Sequence, residues 1–412
     1  MLTRKIKVWV AVVKDFCWQL WYQILNFLFD VRYGRMSYDE LSEGIEEVTI
    51  LNYRSEVLVK SELVNKNFRD CKQDVWLAHK SQLVTDYNYR ADILRYAKVY
   101  SDGFRHVSVY DENGFIHPDF SWYKSFKPIN KLYTKPTEFH SGRTLHLSNM
   151  AEALNGNYAH WLIDVLSRYI MIRNRSSIDL GIDNLLIPAG FSSFRESIEA
   201  LGIKGLRLIE MQKGVCIEFE ELVCTSKPRG FSSNVCPGWI LDGYRQYVDP
   251  IYPTDPEQFK KIYITRKDAA SRKFNDEELL IEGLHKQGFR SIELSEYSLR
   301  EKAGIFAVAT DVVGLSGAGL LSIMFCKPDT NIIELYPSNF VNYLYQSVAS
   351  YLGLNHHHFI FDADSTLSKI NPYYGNFDLN VDELLDFVAT VDSSKSSFFV
   401  ETAAVVMLDS VS

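Results

Sequence analysis

The chain has 412 residues, a formal net charge of −8 and 46% apolar residues, with 25 Phe and 24 Tyr among them. That is too long for one ordinary domain, and it supplies enough apolar material for two packed lobes. The acidic balance excludes a general nucleic-acid binder, which needs a basic face, but leaves room for a local basic pocket.

At the amino terminus Met1–Lys7 is basic, Val8–Val13 is apolar, and Lys14-Asp15 interrupts before the aromatic run Phe16–Phe29. The first block is short for a signal-peptide core and has no small-residue cleavage site after it. The second falls short of the ~20 residues of a membrane span. Trp9, Trp18, Trp21 and Tyr22 with the early lysines predict an amphipathic helix over residues 1–34. It would lie on a membrane surface or pack on protein.

Strands are predicted over Ile45–Leu51 and Val57–Val64, and Asp111-Glu112-Asn113-Gly114 reads as a turn between Val107–Tyr110 and Phe115-Ile116. Strand Thr144–Ser148 leads to a helix in which His160, Asp164 and Arg168 recur every four residues and share one face. Leu162, Val165, Leu166 and Tyr169 lie mainly off that stripe and can face a core. Then Leu185–Ile187, a helix Phe194–Leu201 and Arg207–Ile209 alternate as strand, helix, strand, before a strand over Val215–Cys224. Residues 227–256 are rich in Pro, Gly and Ser, so the division predicted is a first lobe over 35–256 and a second over 257–392, with a tail at 393–412.

The second lobe alternates cleanly. Strand Lys261–Thr265 precedes a helix capped by Asn275 and ended by Gly288, and strand Ser291–Leu294 follows. Ser298-x-x-Glu301 is a capping box opening a helix to Ala309. Strand Asp311–Leu315, a glycine turn, helix Leu320–Phe325, strand Asn331–Leu335, helix Tyr343–Leu352, strand His358–Phe361 and helix Asp382–Ala389 complete it. Such alternation predicts a parallel sheet with helices on both faces.

Three groups of residues carry chemistry. Gly314-Leu315-Ser316-Gly317-Ala318-Gly319-Leu320 lies between a strand and a helix, where a glycine turn lets phosphate approach backbone amides. Close packing is the competing use of those glycines. A nicotinamide fingerprint needs a third glycine where this chain has Ser322. Arg266 and Arg272 follow a strand, at the sheet edge where ligands bind, and their forked donors suit a diphosphate. Glu334, at the end of its strand, can accept hydrogen bonds from ribose hydroxyls. On the first helix, Asp164 or His160 can serve as a base; the plainer account is an Asp164–Arg168 pair within the helix.

Asp362-Ala363-Asp364 looks like a metal-binding acid pair but comes too late in the chain, and His356-His357-His358 lacks a partner ligand. The six cysteines, Cys17, Cys71, Cys216, Cys224, Cys236 and Cys326, show no Cys-x-x-Cys pair. They read as buried reduced thiols in a reducing, cytoplasmic setting.

At these residues the chain resembles glycosyltransferase family 61, including members tied to bacterial capsular polysaccharide synthesis. Asn157, Tyr158, His160, Trp161, Asp164 and Arg168 match the family's helix, Arg266, Arg272 and Asn275 its arginine segment with Asp276 in the acid's place, and Gly317, Ala318, Gly319, Leu320 and Glu334 its glycine turn and following acid. The similarity spans about residues 140–390. Ser316 replaces the usual His, Ser322 an Asn, Ser167 a Pro and Lys302 a common Gln.

The resemblance implies a GT-B fold, two Rossmann-like lobes with a cleft between them, and metal-independent transfer with inversion and no cofactor. A nucleotide-sugar donor would sit on Arg266, Arg272, Asn275, Ser316, Gly317, Ala318, Gly319 and Glu334, and a glycan or lipid-linked glycan acceptor in the first lobe. Asp164 is expected as the base with His160 orienting it, supported by Asn157, Trp161, Arg168 and Lys302. The expected setting is surface polysaccharide synthesis, on the cytoplasmic face of the membrane. The alternatives are a degenerate sugar-binding scaffold subunit, motivated by Ser316 and Ser322, and a nicotinamide-dependent oxidoreductase or epimerase.

Overall fold

The computed structural model describes residues 45–59, 81–101, 106–114, 116–117, 120–123, 136–148, 156–175, 180–229, 235–269, 272–338, 342, 344–361 and 376–393. The helix expected over 1–34, Phe115 of the predicted hairpin, the Asp362/Asp364 pair and the tail after 393 lie outside them. No helix among the described residues is long and apolar enough to cross a membrane. The described chain forms two compact units, one built on residues 88–192 and 204–228, the other on 193–203 and from 229 onward.

The first unit carries a sheet of β1 (Ile45–Val59), β2 (Ser81–Ser101), β3 (His106–Tyr110), β4 (Trp122–Tyr123), β5 (Glu138–His146), β6 (Asn184–Pro188), β7 (Arg207–Met211) and β8 (Cys216–Thr225). Their order is β4-β3-β2-β8-β5-β6-β7, with β1 paired to β2. Strands β5 to β8 are joined in parallel, whereas β2, β3 and β4 run antiparallel. The sheet is therefore mixed. The link between β2 and β3 is too short for a crossover, so those two strands can only be antiparallel neighbours. The Asp111–Gly114 turn forms as the sequence predicts, with Gly114 N–H donating to the Asp111 carbonyl.

Helix α1 is composite: an α turn Tyr158–His160, a π-helical stretch Trp161–Leu166 and an α segment Ser167–Arg175. The Ser167 N–H reaches back to the Leu162 carbonyl, the i→i+5 bond that defines a π turn. Every residue from Trp161 to Arg168 is buried, so the polar stripe is covered rather than open along its length.

The second unit is the doubly wound sheet that the alternation predicts. Its strands β9 (Lys261–Ile264), β10 (Arg290–Ile292), β11 (Asp311–Leu315), β12 (Asn331–Pro337) and β13 (Asn355–Phe361) are all parallel, in the order β10-β9-β11-β12-β13. Its helices are α2 (Ser192–Ala200), α3 (Gly238–Tyr247), α4 (Glu277–Lys286), α5 (Leu299–Val308), α6 (Leu344–Leu352) and α7 (Val381–Ser393), with a 3-10 helix at Ala318–Phe325 where an α-helix Leu320–Phe325 is predicted. Val313, Leu315, Ile333 and Leu335 point to one face and pack on Leu280 and Leu284 of α4 and Leu384 and Val388 of α7. Both faces being covered explains why these strands read as unbroken apolar runs.

One helix cap differs from the sequence reading. The capping box on α5 is present, with Ser298 and Glu301 bonded reciprocally. Asn275, however, does not cap α4: its amide donates to Asp378 Oδ1 at 2.6 Å, and Asp276 stands at the cap. The compact units change over at 228/229. Residues 235–247 belong with the second unit because Arg245 donates to the carbonyls of Met324 and Cys326, and Cys236 N–H to Ser347 Oγ.

His146 of β5 is buried beside Arg168, with Nε2 on Ser148 Oγ at 3.1 Å. Burial first, and then the Arg168 charge, lower its pKa to about 3. Between that value and the unfolded ~6.5, the unfolded chain binds a proton that the native chain refuses, so stability falls as pH falls, by about 1.4 kcal/mol per pH unit. The expected result is a thermal midpoint that drops between pH 6.5 and 4.5, less steeply in His146→Gln. Parallel pH profiles for the two proteins would contradict it.

Candidate functional site

In the second unit the strand order, counted from β9, is 2-1-3-4-5, and its reversal point lies between β9 and β11. Loops leaving the carboxyl ends of those two strands define the usual ligand crevice of such sheets. Arg266 and Arg272 lie on the first loop and Ser316 and Gly317 on the second. The two loops are tied together. An Arg272 guanidinium N–H donates to the Ser316 carbonyl at 2.5 Å, and Arg266 Nε–H donates to the Arg272 carbonyl at 3.3 Å.

Gly317 is extended (φ 176°, ψ 175°), so any residue could adopt its backbone. What needs glycine is space: a Cβ there would sit 3.2 Å from an Arg266 guanidinium nitrogen. Gly319 and Gly314 have a different use. A Cβ at Gly319 would meet Leu294 at 3.0 Å, and one at Gly314 would meet Leu320 at 3.2 Å, so these two let the 3-10 helix pack close. Arg272 has φ 61°, a left-handed conformation that costs a non-glycine residue about 1–3 kcal/mol. The surrounding bonds hold it there.

Glu277, in the first turn of α4, organises the arginine loop. Its Oε1 accepts from Arg266 N–H at 2.7 Å and from the Tyr263 hydroxyl at 2.9 Å. Burial, helped by Glu277, holds the Tyr263 phenol well above its ordinary pKa, so it remains a donor. Burial also pulls the Arg266 guanidinium below its usual value, while Asp268 and Glu277 oppose that shift. Glu334 sits in the middle of β12, wholly buried, not at the strand end. Its Oε2 accepts from His356 Nε2 at 2.8 Å, and its Oε1 has no hydrogen-bond partner among the described residues. Ser316 Oγ, also buried, is in the same state. Lys302 is buried on α5 near Glu196 and Asp268; burial lowers its pKa and both acids counter it.

In the first unit, Asn157 caps α1 by accepting from His160 N–H at 3.3 Å. His160 Nδ1–H donates to Asp164 Oδ2 at 2.7 Å. The His160 side chain is 30% exposed and that of Asp164 10%. Arg168 bonds the Asp164 backbone carbonyl through Nε and, through one terminal nitrogen, Thr225 O, Thr225 Oγ1 and Ser226 O. It thus pins α1 to the end of β8. Trp161 is completely buried and anchors the same helix.

Residues 158–333 match the family model described as Glycosyltransferase 61. The chain carries a glycosyltransferase 61 domain. It is accordingly a glycosyltransferase, acting between a sugar donor and an acceptor. No curated protein matches the chain. The glycosyltransferase 61 match begins at the first helical turn of α1 and runs through β9 and β11 into β12, so it includes His160, Asp164, Arg266, Arg272 and Ser316–Gly319.

Sequence reasoning missed three residues of the candidate site. Tyr263 reads as an ordinary strand aromatic, and Glu277 as one of several early-helix acids. Tyr345 of α6, buried near Glu334, lies beyond the matched segment and in no recognisable motif; Arg229, Arg266 and Arg272 all act on its hydroxyl. A first-turn glutamate that follows an arginine loop is the one signal that could have drawn attention to Glu277.

Proposed function

We propose that this glycosyltransferase uses a nucleotide-sugar donor, held by the second unit, and inverts the anomeric centre without a metal, in the manner of GT-B enzymes. The observation that carries the reading is the tie between the two crevice loops, where Arg272 holds the Ser316 carbonyl and Arg266 lies against Gly317. Two guanidinium groups beside a glycine turn offer forked donors and fixed positive charge to a diphosphate. As the bond between the anomeric carbon and the diphosphate oxygen breaks, the electron pair leaves on that oxygen. Arginine charge stabilises it there, the part a divalent ion plays elsewhere.

The acceptor, a glycan hydroxyl, attacks the anomeric carbon and loses its proton to a base. Here the geometry favours His160 over Asp164, reversing the preference that the sequence supports. An ionised carboxylate only accepts, so Nδ1 bears the proton in the His160–Asp164 bond and Nε2 keeps its lone pair. The imidazole is also the more exposed member of the dyad. Asp164 orients the ring and stabilises it once protonated. A surface polysaccharide on the cytoplasmic side of a membrane is the setting in keeping with this chemistry.

Thermal-shift titration with UDP-, GDP- and CMP-sugars, alongside NAD, tests the donor class. The expected result is stabilisation by at least one sugar nucleotide, with release of the free nucleotide when the enzyme turns over. Stabilisation by NAD alone would overturn it, and binding without transfer or hydrolysis would favour a degenerate sugar-binding subunit.

A further inference from the structure

We propose that Tyr345 is a positioning residue of the donor site, aiming the Ala318 N–H at the diphosphate by holding the Gly317 carbonyl; this rests on the donor reading above. Tyr345 is 3% exposed, and its hydroxyl donates to the Gly317 carbonyl at 2.5 Å. That same carbonyl accepts from Leu320 N–H at 3.0 Å. The preceding carbonyl, of Ser316, is held by Arg272. Two consecutive carbonyls of the turn are therefore drawn away by fixed donors.

A trans peptide places its N–H opposite its C=O. Holding the Gly317 carbonyl therefore directs the Ala318 N–H the other way and, because Gly317 is extended, that is the side of the Ser316 carbonyl, where Arg272 ends. The Ala318 N–H has no hydrogen-bond partner among the described residues. A second observation points to a ligand at this turn: Ser316 Oγ, on a side chain only 1% exposed, is also without a partner among the described residues. That peptide donor and the arginines on the neighbouring loop form a cradle for phosphoryl oxygens. Without the Tyr345 hydroxyl, only the Leu320 N–H would hold the Gly317–Ala318 peptide, which could then rotate more easily. Its carbonyl could then turn toward the anion and repel it.

Burial, with Glu334 adding to it, pushes the Tyr345 phenol above its ordinary pKa, although Arg272, Arg229 and Arg266 pull the other way. The hydroxyl thus stays protonated and remains a donor at neutral pH. Its oxygen is the only atom Tyr345→Phe removes.

The test is calorimetric titration of UDP, GDP, uridine and guanosine into the full-length protein and into Tyr345→Phe. Loss of one hydrogen bond of this kind predicts a Kd for the nucleoside diphosphate about tenfold higher. The Kd of the matching nucleoside should stay unchanged, and the melting temperature close to wild type. A variant that binds the diphosphate as tightly as wild type overturns the role of Tyr345 and leaves the donor reading intact. Equal losses for nucleoside and nucleotide also overturn it, since a general loosening of α6 would do that. Failure of the wild type to bind either nucleotide removes the donor reading and this inference with it. If Tyr345→Phe does not fold, the Ala318 amide resonance of selectively labelled wild type serves instead. It should shift on adding UDP or GDP, and an Ala318 amide that stays put under saturating nucleotide overturns the proposal.

Discussion

Replacing His160 by alanine is expected to lower kcat by about 10²–10⁴-fold while leaving the donor KM within about twofold, because a general base acts in the transition state and contributes little to ground-state binding. The dyad makes the experiment specific. If His160 takes the proton and Asp164 orients it through the 2.7 Å bond, Asp164→Asn should also be slow, since an amide can present its NH₂ to the ring and favour the wrong tautomer. The double substitution should then cost hardly more than His160→Ala alone, as residues acting as a unit are not additive. If Asp164 is the base, His160→Ala should be mild and Asp164→Asn severe. Both variants need a circular-dichroism check, because Asp164 is buried within the π-helical stretch and its loss can disturb α1. Near-normal kcat in both would reduce the dyad to a structural contact.

The parts of this protein that were legible in its sequence are those that depend on local chemistry. Gly288 ends α4 in a left-handed conformation (φ 85°), and Ser298 and Glu301 form their box, because both features need only the nearest neighbours. The five parallel strands followed from alternation of apolar runs with capped helices, and the placing of Arg266 and Ser316 at strand ends followed from the strands just before them. What was hidden is tertiary. Asn275 fits the cap of α4, but Asp378, more than a hundred residues away, takes its amide. Tyr345 reaches Gly317 across 28 residues, and nothing in the intervening sequence signals the contact.

Other features were hidden because two structures share one pattern. The His160–Asp164 spacing of four suits a π turn as well as an α turn, so periodicity could not reveal that Trp161–Leu166 is π-helical. Nor could it reveal that Asp164 and Arg168 are covered, since polar side chains with partners within the unit can be buried. Glu334 lies mid-strand in a sheet covered on both faces, where position along the run does not tell which side chains meet a ligand. The glycines divide the same way: Gly314 and Gly319 serve packing and Gly317 gives way to a guanidinium, a distinction that rests on neighbours the sequence does not place.

Arg266→Ala is expected to lower kcat by about 10²–10³-fold and to raise the donor KM, the scale on which single preorganised donors to a developing charge act. The argument turns on when the charge matters. In the proposed reaction the donor diphosphate is already anionic when bound, so the arginine would contribute to binding; it would contribute more once the bridging oxygen takes up the electron pair. Arg266→Lys should recover part of the KM and little of kcat, because an ammonium keeps the charge but loses the fork that reaches the Arg272 carbonyl and the space beside Gly317. Arg272→Ala should be comparably slow, and in addition should free the Ser316 carbonyl that Arg272 now holds. The double variant separates two possibilities. If both arginines act on the same leaving oxygens, their combined loss is less than the product of the single losses; if Arg272 acts only through the turn and Arg266 only on the diphosphate, the losses multiply. Unchanged kinetics in Arg266→Ala, in a protein that still folds, would remove the arginine loop from the reaction and with it the donor site as described.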